Sequence, residues 1–166
     1  MNLSLSKFTV VLAALAATSL EAANPVTGAD APDFVLKSVA GSNVRLSEQK
    51  SDVVMLAFTA SWCSECRARD AHLAELYRRY RDAGLVLLMV SLDDDRRAAQ
   101  SVASRLDADF PVLSDPRGET GRLYRIDKLP TLVLIDRAGV VRDVLVGDTT
   151  RGGGADERVR MLLREL

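Results

Sequence analysis

Cys63 and Cys66 are the only two thiols in the chain, and the run Cys63-Ser64-Glu65-Cys66 has the spacing that reversible disulfide chemistry requires. In the first turn of a helix, residues three apart lie close enough for a bond between them to open and close with little backbone movement. The flanking residues put the pair in such a turn. Val53 to Phe58 is an unbroken apolar run of strand length, and from about Ser64 to Ala83 the residues Cys66, Leu73, Leu76, Tyr77 and Tyr80 recur at helical spacing until Gly84 stops them. Cys63 then falls at the helix N-terminus, where unpaired N–H groups and the helix dipole favour a thiolate. Cys63 is therefore the expected nucleophile and Cys66 the resolving thiol. As a staple the pair would contribute little, because the unfolded-state entropy removed by a disulfide grows with the loop it closes.

Other chemistries for the same residues fit less well. A structural zinc site needs about four ligands, and the chain offers these cysteines and the single His72, which is expected on a solvated helix face. Covalent haem needs a histidine directly after the second cysteine, where Arg67 stands. A peroxidase of the peroxiredoxin type would want a polar pocket activating one thiol without a neighbouring partner, and only Thr59 answers to that, whereas a thiol oxidant would use the same pair and differ in its potential. A copper(I) metallochaperone is the alternative from another class, since a soft cysteine pair outside the cytoplasm can hold or hand on that ion. However, Met55, Met89 and Met161 fall in predicted core runs and Met1 in the leading segment, so no methionine-rich ligand patch forms. No metal site is expected. Trp62, beside the pair, suits a substrate platform and core packing equally.

The 166 residues suit one domain, and 48% hydrophobic with 27% charged residues is the balance of a globular protein with a buried core. A net charge of -1 supplies no field for gathering nucleic acid or an anionic membrane. The start reads differently. Lys7 precedes a nearly all-apolar stretch from Phe8 to Leu20, as in an export signal, so residues 1–22 are expected to be a signal peptide, cleaved after Ala22 or near Ala17-Thr18-Ser19, or retained as an anchor. A linker over 23–30 and a domain over 31–166 follow. Export places the thiols among oxidants, where a dithiol is kept only for a purpose.

Within the domain, Phe34 to Leu36 and Val44 to Leu46 flank a turn, which predicts a leading hairpin. A second buried strand at Leu85 to Ser91 makes a strand-helix-strand unit with a parallel pair. Asp93, Asp94 and Asp95 favour a helix start, with Ala99, Val102 and Leu106 as its buried stripe. Phe110 to Leu113 reads as a short strand, and a brief helix is expected to bury Leu123 and Tyr124. Thr131 to Ile135 and Val140 to Val146 predict an antiparallel hairpin around Arg137-Ala138-Gly139. After a flexible Gly152 to Gly154, Asp156 is expected to cap a closing helix with Val159, Leu162, Leu163 and Leu166 on one face.

Across about 31–166 the chain resembles the thioredoxin superfamily, and within it the exported TlpA/ResA-like thiol-disulfide oxidoreductases. The resemblance is carried by Ala31-Pro32-Asp33-Phe34, by Phe58-Thr59-Ala60-Ser61-Trp62-Cys63-Ser64-Glu65-Cys66, by Tyr124-Arg125-Ile126-Asp127-Lys128-Leu129-Pro130-Thr131 and by Leu134-Ile135-Asp136-Arg137-Ala138-Gly139. It implies an α/β thioredoxin-like fold with a central mixed sheet flanked by helices, an N-terminal hairpin and a central helix insertion. It further implies that Pro130 is cis and faces the cysteines, where residue type alone favours an ordinary trans bond, and that the backbone of Leu129 pairs with a bound polypeptide. Trp62, Ser64 and Glu65 would shape the site. No cofactor beyond the redox-active disulfide is implied. The expected partners are disulfides of exported proteins, apocytochrome c among them, and a membrane thiol-disulfide electron donor.

Three positions depart from the family pattern. Glu65 stands where proline is common, and its carboxylate beside both sulfurs disfavours a thiolate and so tilts the pair toward reducing. Arg67 and Arg69 pull the other way, Arg69 occupying a place often acidic in the family. Ala57 replaces the buried aspartate of thioredoxin, leaving Asp70, one turn after Cys66, as a candidate for proton transfer, although exposure with Arg67 or Arg69 as partner is the favoured reading.

Overall fold

The valine-rich run forms β3 (Val53–Thr59), and every residue in it is buried. A computed structural model of the protein describes residues 27–148 and 154–165. The expected signal over 1–22, part of the linker, Gly152, Gly153 and Leu166 lie outside the described residues. Around β3 stand β1 (Val35–Ser38), β2 (Asn43–Arg45), β4 (Leu85–Ser91), β5 (Val112–Ser114), β6 (Thr131–Ile135) and β7 (Val141–Val146). Their order across the sheet is β2-β1-β5-β4-β3-β6-β7. The four inner pairings differ in sense: β3 with β4 and β4 with β5 are parallel, β3 with β6 and β1 with β5 antiparallel. The leading hairpin is β1 with β2, and the closing one β6 with β7. The sheet is mixed, as the sequence predicts.

The parallel strands are joined through helices α1 (Ser64–Tyr80) and α2 (Arg96–Leu106), while α3 (Glu119–Leu123) and α4 (Gly154–Arg164) follow β5 and β7. Alternation along the strands sorts side chains to two faces. Met55, Ala57, Leu87, Met89, Leu132 and Leu134 pack with Leu73 and Leu76 of α1, Val102 of α2 and Val159 of α4. Leu56, Phe58, Leu88, Val90 and Val133 pack with Phe34, Leu46 and Tyr124 on the other face. There the Tyr124 hydroxyl donates to Pro32 O at 2.7 Å, fastening the segment before β1.

Several expectations are corrected. The helix expected to reach Ala83 ends as α-helix at Tyr80 and continues as a tighter turn over Arg81–Ala83; Gly84 then takes φ of 87°, a conformation that costs glycine little. Strand β5 starts at Val112, and Phe110 is instead a core residue set edge-on against Tyr77. Leu123 is exposed, so only Tyr124 of that pair is buried. Asp156 does not cap α4, which already begins at Gly154; its carboxylate accepts from the Tyr80 hydroxyl and pairs with Arg79 and Arg160. Met161 is 50% exposed rather than in the core, because it lies off the stripe formed by Ala155, Val159 and Leu162.

The β6–β7 turn is organised by Asp136. One carboxylate oxygen accepts from Ala138 N and Val140 N, each at 2.9 Å, and the other accepts from Arg142 Nε at 2.6 Å. Burial alone would raise this carboxyl, but the bonds from Val140, Arg142 and Ala138 more than offset it and hold the group below its ordinary value. Asp136 therefore contributes stability that is present above the ordinary carboxylate range and is lost as pH falls through the depressed folded value. Between pH about 6 and about 3, the Asp136→Asn variant is expected to lose less unfolding free energy than the parent in urea titrations. An equal loss would refute this assignment.

Candidate active site

The turn from β3 into α1 brings the cysteines together. Cys63 is the N-cap of α1, and Cys66 N donates to Cys63 Sγ at 3.1 Å, so a helix-terminal N–H points at the expected nucleophile. The sulfurs are joined at 2.04 Å, with Cα atoms 5.3 Å apart. Cys63 keeps 7% of its surface open and Cys66 keeps none. An incoming reagent meets Cys63 first.

The loop ahead of Cys63 is fixed by a residue of the segment that follows β4. Asp93, 4% exposed, accepts from Ser61 N at 2.9 Å, from Ser61 Oγ at 2.7 Å and from Ser91 Oγ at 2.6 Å. Of the acidic run expected to start a helix, Asp95 does so, accepting from Arg97 N as N-cap, while Asp93 is turned inward. Its partner Ser61 is 32 residues away in the chain, so local sequence carried no sign of the contact.

Arg69 and Asp70 differ most from expectation. Asp70 is fully buried, not exposed, and so is Arg69. Arg69 Nε donates to Asp70 Oδ1 at 2.9 Å, and Thr59 Oγ1 donates to Asp70 Oδ2 at 2.5 Å, which commits both carboxylate oxygens. The remaining guanidinium nitrogens donate to Thr131 O at 2.9 Å and Phe58 O at 2.8 Å. Burial lowers the Arg69 guanidinium from its usual value, and Asp70 partly restores it. The charge of Arg69 is thus balanced by Asp70 and does not act as a free attraction on a thiolate. Thr59, serving Asp70, is not a pocket donor for one activated thiol. Both residues could have been found, because 66, 69, 70 and 73 lie on one helical face, and a charge on a buried face requires a partner.

The bond between Leu129 and Pro130 is cis, as the resemblance implies. Leu129 packs against Ala60, Cys63 and Cys66, forming a small apolar wall beside the sulfurs. That loop is braced by Thr131 Oγ1 donating to Lys128 O at 2.7 Å and by Gly147 N donating to Pro130 O at 2.8 Å. Trp62 is 70% exposed, so it takes no part in the core packing that the sequence also allowed for it. Ser64, Glu65 and Arg67 are exposed on the first turn, His72 is half-buried, and Ala57 is buried. Among the described residues no helix is long and apolar enough to cross a membrane.

The model of the AhpC/TSA family matches residues 27–144. The chain is 32% identical over 124 residues to the thiol-disulfide oxidoreductase ResA of Geobacillus kaustophilus, covering 75% of this chain and 71% of that protein. It is 32% identical over 126 residues to the thioredoxin-like protein YneN of Bacillus subtilis, covering 75% of this chain and 74% of that one. Among solved structures it is similar to a protein from Chlorobium tepidum described as a thiol:disulfide interchange protein DsbE, with a TM-score of 0.77, 35% identity, and coverage of 83% of this chain and 97% of the other.

Proposed function

We propose, since this chain belongs to the AhpC/TSA family and is a thiol-disulfide oxidoreductase of thioredoxin-like fold, that it works as a disulfide reductase on exported polypeptides, with Cys63 attacking and Cys66 resolving. The observation that carries the reading is the unequal exposure of the two bonded sulfurs at the start of α1. In the dithiol state the Cys63 thiolate attacks one sulfur of a client disulfide; that S–S bond breaks, and the departing client sulfur takes a proton. Cys66, as thiolate, then attacks Cys63 Sγ and releases the second client sulfur. Two electrons pass to the client, and the Cys63–Cys66 disulfide is left for a thiol donor to reduce.

Clients that contain disulfides follow from the activity. Their finer identity is proposed: exported apoproteins, apocytochrome c among them, with a membrane thiol-disulfide protein as donor. Export itself rests on the leader expected over 1–22. No bound cofactor enters the steps, since the cysteine pair carries both electrons. Trp62, Ser64, Glu65, Leu129 and Pro130 are proposed to shape the client groove. The reductive direction is supported by Glu65, exposed within the pair's own turn, and by the pairing of Arg69 with Asp70, which removes one of the two cations expected to oppose it.

Equilibration with glutathione buffers measures the direction. A potential near thioredoxin's value of roughly -270 mV is expected, and one near DsbA's value of roughly -120 mV would replace the reductase with an oxidant.

A further inference from the structure

We propose that Arg69 is a positioning residue for disulfide exchange, its guanidinium holding the Leu129–Pro130 loop in register with the cysteine pair so that a polypeptide can reach Cys63. The inference rests on the reading of the chain as a disulfide oxidoreductase. Arg69 lies on α1 three residues after Cys66, so it moves with the helix that carries both sulfurs. One of its bonds goes to the carbonyl of Thr131, the residue after Pro130. Another goes to the carbonyl of Phe58, the residue of β3 paired with Thr131 and two before Ala60. A single planar group thereby joins the cysteine helix, the strand leading into the cysteine loop and the strand leaving the Leu129–Pro130 loop. Leu129 packs against the cluster that Ala60 forms with the two cysteines, so a displacement of Thr131 is passed to the wall beside the reactive sulfur.

The choice of a charged residue supports geometry over mere cohesion. Well-packed apolar side chains usually stabilise a core at least as well as a buried ion pair, because both charges must be stripped of water. A rigid guanidinium fork does what they cannot, fixing two carbonyls and a carboxylate in one plane. Asp70, held from its other side by Thr59, is the counter-charge that allows the fork to be buried.

The test compares second-order rates of the reduced protein with two disulfides. Insulin must lie along the site; cystamine needs only an open sulfur. The variants are Arg69→Lys, which keeps the charge and loses the fork, and the double change Arg69→Met with Asp70→Asn, which leaves no buried charge unpaired. Both are expected to react with insulin roughly 10–100-fold more slowly while the cystamine rate stays within about two-fold, the penalty expected for misplacement by about an ångström. Parallel losses on both disulfides, unchanged insulin rates in folded variants, or failure of both variants to fold would overturn the proposal, the last by making the pair a folding determinant only. A parent protein that exchanges with neither disulfide would instead overturn the oxidoreductase reading, and the proposal with it.

Discussion

Changing Cys63 to alanine is expected to reduce turnover of a polypeptide disulfide by at least about 10³-fold, because the covalent step loses its nucleophile outright. The Cys66→Ala variant should fail differently. Its Cys63 remains the N-cap of α1 and keeps the backbone N–H of position 66 as a donor, so the first attack proceeds and the mixed disulfide persists for want of a resolving thiol. Non-reducing electrophoresis should show a client adduct with Cys66→Ala and none with Cys63→Ala. Adducts on Cys66 in the Cys63→Ala variant, at comparable yield, would reverse the assigned roles. That outcome conflicts with the burial of Cys66, which has no open surface against 7% for Cys63.

The Arg69→Met variant should be the most destabilised of the single changes near the site. Both side chains of the Arg69–Asp70 pair are fully enclosed. Deleting the cation leaves a buried carboxylate with only Thr59 as donor, and removing one partner of a buried pair costs about 3–5 kcal/mol. Adding Asp70→Asn should recover about half of that loss and not all of it, since the carbonyls of Phe58 and Thr131 still lack their donor. Urea unfolding of the parent, both single variants and the double variant completes the cycle. Additive losses would mean that the two charges are not coupled.

The frame of the molecule was legible because its signals are periodic. The apolar run at 53–58, the alternation in the two hairpins and the stripe on the first helix each reflect burial of a face, and burial is written in local composition. The cysteine pair was legible for a related reason, since its meaning depends on three-residue spacing at a strand-to-helix turn. Contacts between polar residues distant in sequence were not. Asp93 reaches Ser61, and Arg69 reaches Thr131 across 62 residues, and such distances leave no periodic trace. Asp70 failed for another reason. A charge on a helix is ordinarily solvated, and that prior outweighed its place on the buried stripe beside Leu73. Met161 failed in reverse, its apolar character outweighing its place off the stripe.

The enclosure of Cys66 also bears on chemical damage. In the dithiol state a peroxide entering from solvent meets Cys63 first and oxidises its thiolate to the sulfenic acid, Cys63–SOH, being itself reduced to water or an alcohol, with Cys66 within bonding reach behind it. Condensation of the two forms the disulfide and expels water, ahead of the slower climb to irreversible sulfinic and sulfonic acids. Depth beneath the surface thus gives the chain an internal protection route, in which oxidant exposure ends at the reducible Cys63–Cys66 disulfide.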